Sequence, residues 1–377
     1  MKYLLSNPGK FHHFEVGREI FKRNQLHRII CGYPWFKLKN EGIPKNKITS
    51  YSLNTIITRY LKDSAFKDYF NIKQQKKIDE LSLKSLDGCD VFLGLSQCGL
   101  NTGIEAKKRG IKYICERSST HIVYQNELLK EEYNKLNLKY KPIHDWFIQR
   151  ELEEYKNSNF ILLPSNFVEK TFKDKGYKNT KVINFGSWYK QFYPIEKKIK
   201  KNSFDIVFVG QISIRKGLHY LFEAFNHIKS NQINLHIIGS KTLDSNFLKK
   251  LINKKKRENV YFYGHKNHNE INKIINNSNL FIMPSIEEGM AISIMQAISS
   301  GCPVLITENT GAKEFVEKNK CGVVIKYNDL KNIGEYIMDL VENRTQLKLF
   351  KENAIQTKGI HTWSKYFEEL DKIVRNL

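Results

Sequence analysis

Acidic residues are scarce in this 377-residue chain: 39 Asp and Glu stand against 62 Lys and Arg, a formal net charge of +23. That balance would attract polyanions, acidic membrane surfaces or phosphorylated substrates. The chain is also rich in Lys, Asn and Ile together, as a biased genome produces on solvated faces, so charge alone names no partner. Close cysteine pairs are missing. Cys31, Cys89, Cys98, Cys115, Cys302 and Cys321 lack the spacing that ligates zinc. Several sit in apolar strand-like runs, where cysteine packs as a small hydrophobe; a reducing compartment fits. No apolar run approaches the roughly 18 residues of a membrane span. The opening "MKYLLSNPGK" has one Lys and a short apolar run, unlike a signal peptide. These absences lead us to expect a cytoplasmic protein, with any membrane contact peripheral and on the inner face. The fingerprint G-x-G-x-x-G and the P-loop are both missing, which counts against a dehydrogenase or a P-loop kinase. No helix-turn-helix, zinc or RNA-binding signature occurs, so no nucleic-acid partner is expected despite the charge.

What is present is an ordinary globular composition, 41% apolar and 12% aromatic. The length is too great for one typical core and suggests two domains. Short apolar runs alternate with helix-like segments. "KYLLS", "HRIIC", "DVFLGLS", "KYICE" and "FILLPS" come first, then "FDIVFVG", "INLHIIG", "NVYFYG", "LFIMPS" and "PVLIT". Nearly continuous apolar runs are those of parallel strands covered on both faces. The pattern predicts an α/β protein of two Rossmann-like, doubly wound domains facing a cleft. Residues 186–203, aromatic, then Pro-containing, then a charge run, separate the two series. Domains are expected at 1–195 and 203–357. Residues 358–377 read as an amphipathic terminal helix packing back on the first domain, with Trp363, Phe367, Leu370 and Val374 at spacings of three and four.

Four stretches carry candidate chemistry. In "FVGQISIRKGLHYLFEAF" (208–225) a strand ends at Gly210, and Arg215, Lys216 and Gly217 open a helix. Cations at a helix start oppose its dipole, so an anionic ligand explains them better than solvation does. Arg and Lys together make a diphosphate clamp. In "PSIEEGMAISIMQAISSGCPV" (284–304) Glu287 and Glu288 precede a short helix over 290–300, with Gly289, Ser293, Gln296 and Ser300 on a small polar face. One carboxylate suffices as dipole complement; a second repels it unless it has a cation or a sugar hydroxyl to engage. "ENTGAKEFV" (308–316) places Gly311 before a helix start, another candidate for phosphate or sugar contact. In the first half, "SNPGKFHHF" (6–14) and "CERSSTHI" (115–122) follow strands and bring Gly9, Lys10, His12, His13, Glu116, Arg117 and His121 to strand ends. One of the three histidines is expected to be functional, the others structural.

Assembled, these elements resemble family 4 glycosyltransferases, retaining enzymes of the two-Rossmann-domain GT-B architecture. The resemblance is most specific over 160–325: "LLPSNFVEKTF", "FVG…RKG…L…AF", "LHIIG", "YFYGH", "PSIEEG" and "SGCPVLITENTGAKE" occur in family order, followed by the Trp-containing tail. It implies that Lys216 holds the donor diphosphate and that Glu288 touches the transferred sugar. The second position of the family's Glu–seven residues–Glu signature falls on Gln296, beside the nucleotide ribose, as an amide and not a carboxylate. An amide still bonds a hydroxyl, but the charge is lost. Gln211 stands where the family often has Arg, with Arg215 a substitute. His265 would lie near the base, and His121 resembles the cleft histidine that approaches the sugar. Gly210, Gly289 and Gly311 complete the donor set; Gly9, Lys10 and His12 form the acceptor-side loop. The implied co-substrate is a nucleotide-diphosphate sugar, with no metal or other cofactor. The acceptor would be a glycan, a lipid-linked oligosaccharide or another cell-surface molecule. The departures at Gln211 and Gln296 admit an alternative: a degenerate relative that binds nucleotide sugar or glycan without turnover.

Overall fold

The computed structural model describes residues 1–61, 64–187, 190–195, 203–228, 230, 232–253 and 258–377. The basic run at 197–201 and part of that at 249–259 lie outside the described residues, as does much of the stretch expected to separate the domains. The chain divides into two compact units. The first comprises Met1–Glu127, Lys141–Gly186 and Trp363–Leu377; the second comprises Leu128–Tyr140 and Ser187–Thr362.

The first unit is built on β1 (Tyr3–Asn7), β2 (Leu26–Cys31), β3 (Ile48–Ser50), β4 (Val91–Leu95), β5 (Lys112–Glu116), β6 (Phe160–Leu163) and β7 (Thr180–Val182). They form one parallel sheet in the order β3-β2-β1-β4-β5-β6-β7. β1, β4 and β6 are buried at every position, because helices cover both faces and leave no polar alternation. The terminal helix Trp363–Arg375 belongs to this unit. Trp363, Phe367, Leu370 and Val374 are all buried, as their spacing predicts, and Tyr366 is buried with them. Phe367 meets the Tyr3 ring edge-on at 5.4 Å, and the Tyr3 hydroxyl donates to Asp371 Oδ1 at 2.7 Å. Phe367, Leu370 and Val374 are each at most 1% exposed. At roughly 1.5–3 kcal/mol per buried apolar side chain they anchor the helix strongly.

The second unit carries β8 (Phe204–Val209), β9 (Ile233–Ile238), β10 (Val260–Gly264), β11 (Leu280–Met283), β12 (Val304–Thr307) and β13 (Gly322–Ile325). Its parallel order is β10-β9-β8-β11-β12-β13. The order reverses between β8 and β11, so the loops leaving their carboxyl ends diverge and open a crevice, the usual ligand position in such sheets. One strand departs from expectation. "NVYFYG" reads as a buried strand, yet β10 is an edge strand with Tyr261, Phe262 and Tyr263 exposed. Large aromatics tolerate that place because each ring packs sideways; His236 stacks on Tyr261 at 5.3 Å.

The unit boundary falls at Gly186/Ser187, at the start of the 186–203 stretch chosen from composition. Leu128–Tyr140 also counts with the second unit, which no composition shift signals. Its Glu132 is fully buried there, taking His219 Nε2 at 2.9 Å and the Tyr327 hydroxyl at 2.7 Å. Burial alone would raise this carboxyl; bonds from His219, Tyr220 and Tyr327 hold it down to about 2. All six cysteines are free and buried. No helix among the described residues is long and apolar enough to cross a membrane.

Candidate functional site

The second unit gathers four charged side chains at the β8/β11 switch point. Arg215 and Lys216 lie in the loop leaving β8, Glu287 and Glu288 in the loop leaving β11. Gly217 fixes how the loops meet. It takes φ +68° as the N-cap of the helix Leu218–His227, and a Cβ there would stand 1.7 Å from the Pro284 carbonyl oxygen. Only glycine permits that approach. The Ile286 amide then donates to the Arg215 carbonyl at 2.9 Å, locking one loop to the other. The loop after β12 locks the second side. The Glu288 amide donates to Asn309 O at 2.9 Å, Asn309 Nδ2 donates to Ile286 O at 2.9 Å, and Thr307 Oγ1 donates to Ser285 O at 2.6 Å.

In this frame Arg215 Nε donates to Glu287 Oε2 at 2.8 Å, while its NH2 reaches Glu288 Oε1 at 3.2 Å. The Lys216 ammonium donates to Glu288 Oε2. Glu287 is completely buried, which its pairing with a guanidinium makes tolerable. The helix after the pair begins at Ile292, so neither carboxylate caps it as its dipole complement. The second carboxylate has the cations that its position demanded. Lys216 is almost buried, and its Cε lies 3.7 Å from where a Gly210 Cβ would stand. Burial and then Arg215 push the Lys216 ammonium down to about 7, with Glu287 opposing. Lys216 is therefore a cation close to its titration range.

The remaining second-unit candidates distribute around this cluster. Gly289 and Gly311 are buried in the two interlocked loops, Gly311 at φ +71°. Gln296 is nearly buried in the helix Ile292–Ser299. Gln211 is exposed one residue past Gly210, and His265 is exposed one residue past Gly264 on the same sheet edge. That edge is continuous: Gly239 N donates to Gly264 O at 2.9 Å, and Gly210 N donates to Ile238 O at 2.9 Å. Sequence reasoning missed Asn309 and Asp244. Asn309 holds the Glu288 loop from both its amide and its carbonyl. Asp244 accepts from Ile214 N at 2.9 Å and from the Tyr133 hydroxyl at 2.6 Å, steadying the Arg215 loop. The Asn inside "ENTG" was a usable signal; nothing local marks Asp244.

In the first unit, His12, His13 and Glu116 converge, from the β1 loop and the last residue of β5. His12 Nε2 stands 2.6 Å from Glu116 Oε1 and His13 Nε2 stands 2.5 Å from Oε2. The Tyr366 hydroxyl donates to Oε1 at 2.9 Å. Burial alone would raise this carboxyl, but the two imidazoles outweigh it and hold it well below the usual range. By residue type the trio can hold a metal ion. Ligands of a tetrahedral ion at about 2.0–2.1 Å stand roughly 3.3 Å apart; the observed separations are hydrogen-bond lengths, and the arrangement is a carboxylate shared by two imidazoles. Lys10 pairs with Glu41 at 2.5 Å, and Gly9 N donates to Asn7 Oδ1 at 3.3 Å. His121 lies elsewhere, buried among Tyr155, Phe172 and Tyr177 with ring centroids 5.0–5.5 Å away. Burial first, then Arg117 and Lys175, pushes it down to about 4, so it is neutral. Within this unit its contacts are those of a packing residue, and the catalytic role expected of it finds no support in them.

The parallel, doubly wound sheet, with paired cations and carboxylates at its switch point, places the second unit in the Rossmann-like α/β class. Comparison with known proteins shows what the chain is similar to. Residues 190–357, which hold the whole cluster, match the family described as glycosyl transferases group 1. An uncharacterized glycosyltransferase of Methanocaldococcus jannaschii is 26% identical over 259 residues, 64% of this chain and 65% of that protein. The capsular polysaccharide biosynthesis glycosyltransferase CapM of Staphylococcus aureus is 28% identical over 192 residues, 48% of each. The chain thus spans less than two thirds of the length of these relatives. In fold it is similar to HepE of Anabaena, crystallised in complex with UDP-glucose, with a TM-score of 0.73 over 100% of both chains at 15% identity.

Proposed function

We propose that the chain is a retaining glycosyltransferase of family 4 that moves a sugar from a nucleotide-diphosphate sugar to a glycan, lipid-linked or other cell-surface acceptor. The observation that carries this reading is the Arg215–Lys216–Glu287–Glu288 cluster at the β8/β11 switch point. The match over 190–357, a relative named for capsular polysaccharide biosynthesis and a structural neighbour crystallised with UDP-glucose support it.

On this reading the donor diphosphate takes Lys216 and Arg215 as partners. The cations stabilise the negative charge that develops on the leaving nucleotide. Their withdrawal from Glu288 frees that carboxylate to face the sugar, while Glu287, buried, keeps Arg215 in place. Gln296 would bond a ribose hydroxyl and His265 would border the base, with Gly210, Gln211, Gly289 and Gly311 allowing close approach. Gly9, Lys10 and His12 would serve the acceptor. In retaining transfer either the acceptor attacks from the leaving-group face, a phosphate oxygen taking its proton, or Glu288 forms a covalent glycosyl intermediate. The reaction is proposed to need no metal, and the protein to be cytoplasmic with peripheral contact on an anionic membrane face. The test is nucleotide release from a panel of nucleotide sugars, with and without chelator. Release that depends on Lys216 and Glu288 supports the proposal; binding of donor without hydrolysis or transfer to any acceptor would establish the degenerate alternative.

A further inference from the structure

The second unit has another cavity, away from the Arg215–Glu288 cluster. It measures about 530 Å³ and is lined at the amino ends of the central strands by Asp205, Asn279 and Pro303. β9 and β10 add His236 and Tyr263, and the helix Arg344–Gln356 adds Arg344, Lys348 and Lys351. All strands of the sheet are parallel, so the amino ends lie on the margin opposite the switch-point loops. About 17 Å of strand separates Asp205 from Gly210 at roughly 3.3 Å per residue.

The charge of this cavity is one-sided. Among the described residues that line it, the one carboxylate, Asp205, is already engaged: Oδ1 takes His236 Nε2 at 2.9 Å and Asn234 Nδ2 at 3.0 Å, and Oδ2 takes Ser203 Oγ at 3.0 Å. The three cations stand at i, i+4 and i+7, on one face of their helix. Arg344 and Lys351 have no ion pair among the described residues, and Lys348 reaches Glu352 only at 3.9 Å. Arg344 occupies the first position of its helix, where a cation opposes the dipole. Its guanidinium is held over the Phe204 ring, 4.7 Å from the centroid, and so is presented and not left to wander. The volume exceeds what inorganic phosphate fills and lies in the range of small-molecule sites, about 300–1,000 Å³.

We propose that this cavity is a second ligand site, separate from the donor site, for a small phosphorylated compound of sugar-monophosphate size, its phosphate bound by Arg344, Lys348 and Lys351. The inference does not depend on the donor assignment. It is tested by calorimetric titration of the full chain with glucose 6-phosphate and, separately, inorganic phosphate. The proteins are the wild type, the double variant Arg344→Ala/Lys351→Ala and Lys216→Ala. Both double-variant positions are exposed, and an unchanged melting temperature confirms folding. Expected are binding of glucose 6-phosphate to the wild type, equal affinity in Lys216→Ala, at least tenfold loss in the double variant, and at least tenfold weaker inorganic phosphate. No binding to the wild type at millimolar ligand, unchanged affinity in the double variant, or loss in Lys216→Ala would each overturn the site. Equal affinity for inorganic phosphate would overturn the sugar-phosphate assignment.

Discussion

Replacing Lys216 by alanine removes an almost buried ammonium that lies against Glu288 and over Gly210. The fold has reason to survive. Glu287 keeps its Arg215 bond at 2.8 Å, Glu288 keeps the weaker one at 3.2 Å, and the Gly217 turn is backbone-determined. The loss therefore falls on the ligand. A hydrogen bond to a charged group contributes about 1.5–3 kcal/mol, so affinity for a nucleoside diphosphate should fall about ten- to hundredfold. Transfer should fall further, by about 10²–10³, because the cation also meets charge that develops only as the leaving group departs. Lys216→Arg should rescue poorly, since a planar fork does not replace a point charge in a confined space. Calorimetry with UDP and GDP, beside donor turnover and a melting curve, separates these effects. Near-wild-type turnover in a folded Lys216→Ala protein would refute the diphosphate assignment.

Glu288→Gln is expected to leave diphosphate affinity within a few-fold while lowering transfer by about 10²–10³; equal losses in both would place Glu288 in ground-state binding alone. Gln296→Ala should weaken donor binding about two- to tenfold, the worth of one neutral hydrogen bond, with little change in turnover at saturation. Lys216 is held near 7 in the fold. Its neutral form is favoured relative to the unfolded chain, so it costs stability below that value and the cost fades as pH rises. Diphosphate binding needs the charged form, so affinity should weaken above pH 7 with proton uptake on binding; a pH-independent affinity between 6 and 9 would contradict this. The net charge of +23 should give weak, salt-sensitive binding to anionic lipid vesicles, and equal binding to neutral vesicles would reject an electrostatic cause.

The fold was legible because each apolar run is short, continuous and followed by a helix-like segment, the signature of a parallel strand covered on both faces. That signal could not separate β10 from its neighbours, since composition carries no information about which strand ends at an edge. The candidate donor site was legible where two local rules were broken together: cations before a helix start and two adjacent carboxylates. Their pairing, Arg215 with Glu287 and Lys216 with Glu288, was not, because it is set by the αL turn at Gly217 against Pro284, more than sixty residues away. His121 looks like a site residue because it stands one residue before a helix after a strand; its ring contacts with distant Tyr155, Phe172 and Tyr177 could not be read from that position. Leu128–Tyr140 belongs with the second unit, where Glu132 meets His219 nearly ninety residues away, a pairing beyond the reach of any periodicity.

The account stands most directly on whether the Lys216–Glu288 cluster transfers sugar. The measurement is mass-spectrometric detection of released nucleoside diphosphate and glycosylated product, using a panel of nucleotide sugars with lipid-linked and glycan acceptors. Wild type, Lys216→Ala and Glu288→Gln are compared. Product from the wild type, with at least hundredfold less from each variant and the anomeric configuration of the donor retained, is predicted. Product formed equally by all three proteins, or a donor that binds and is never cleaved, would contradict it.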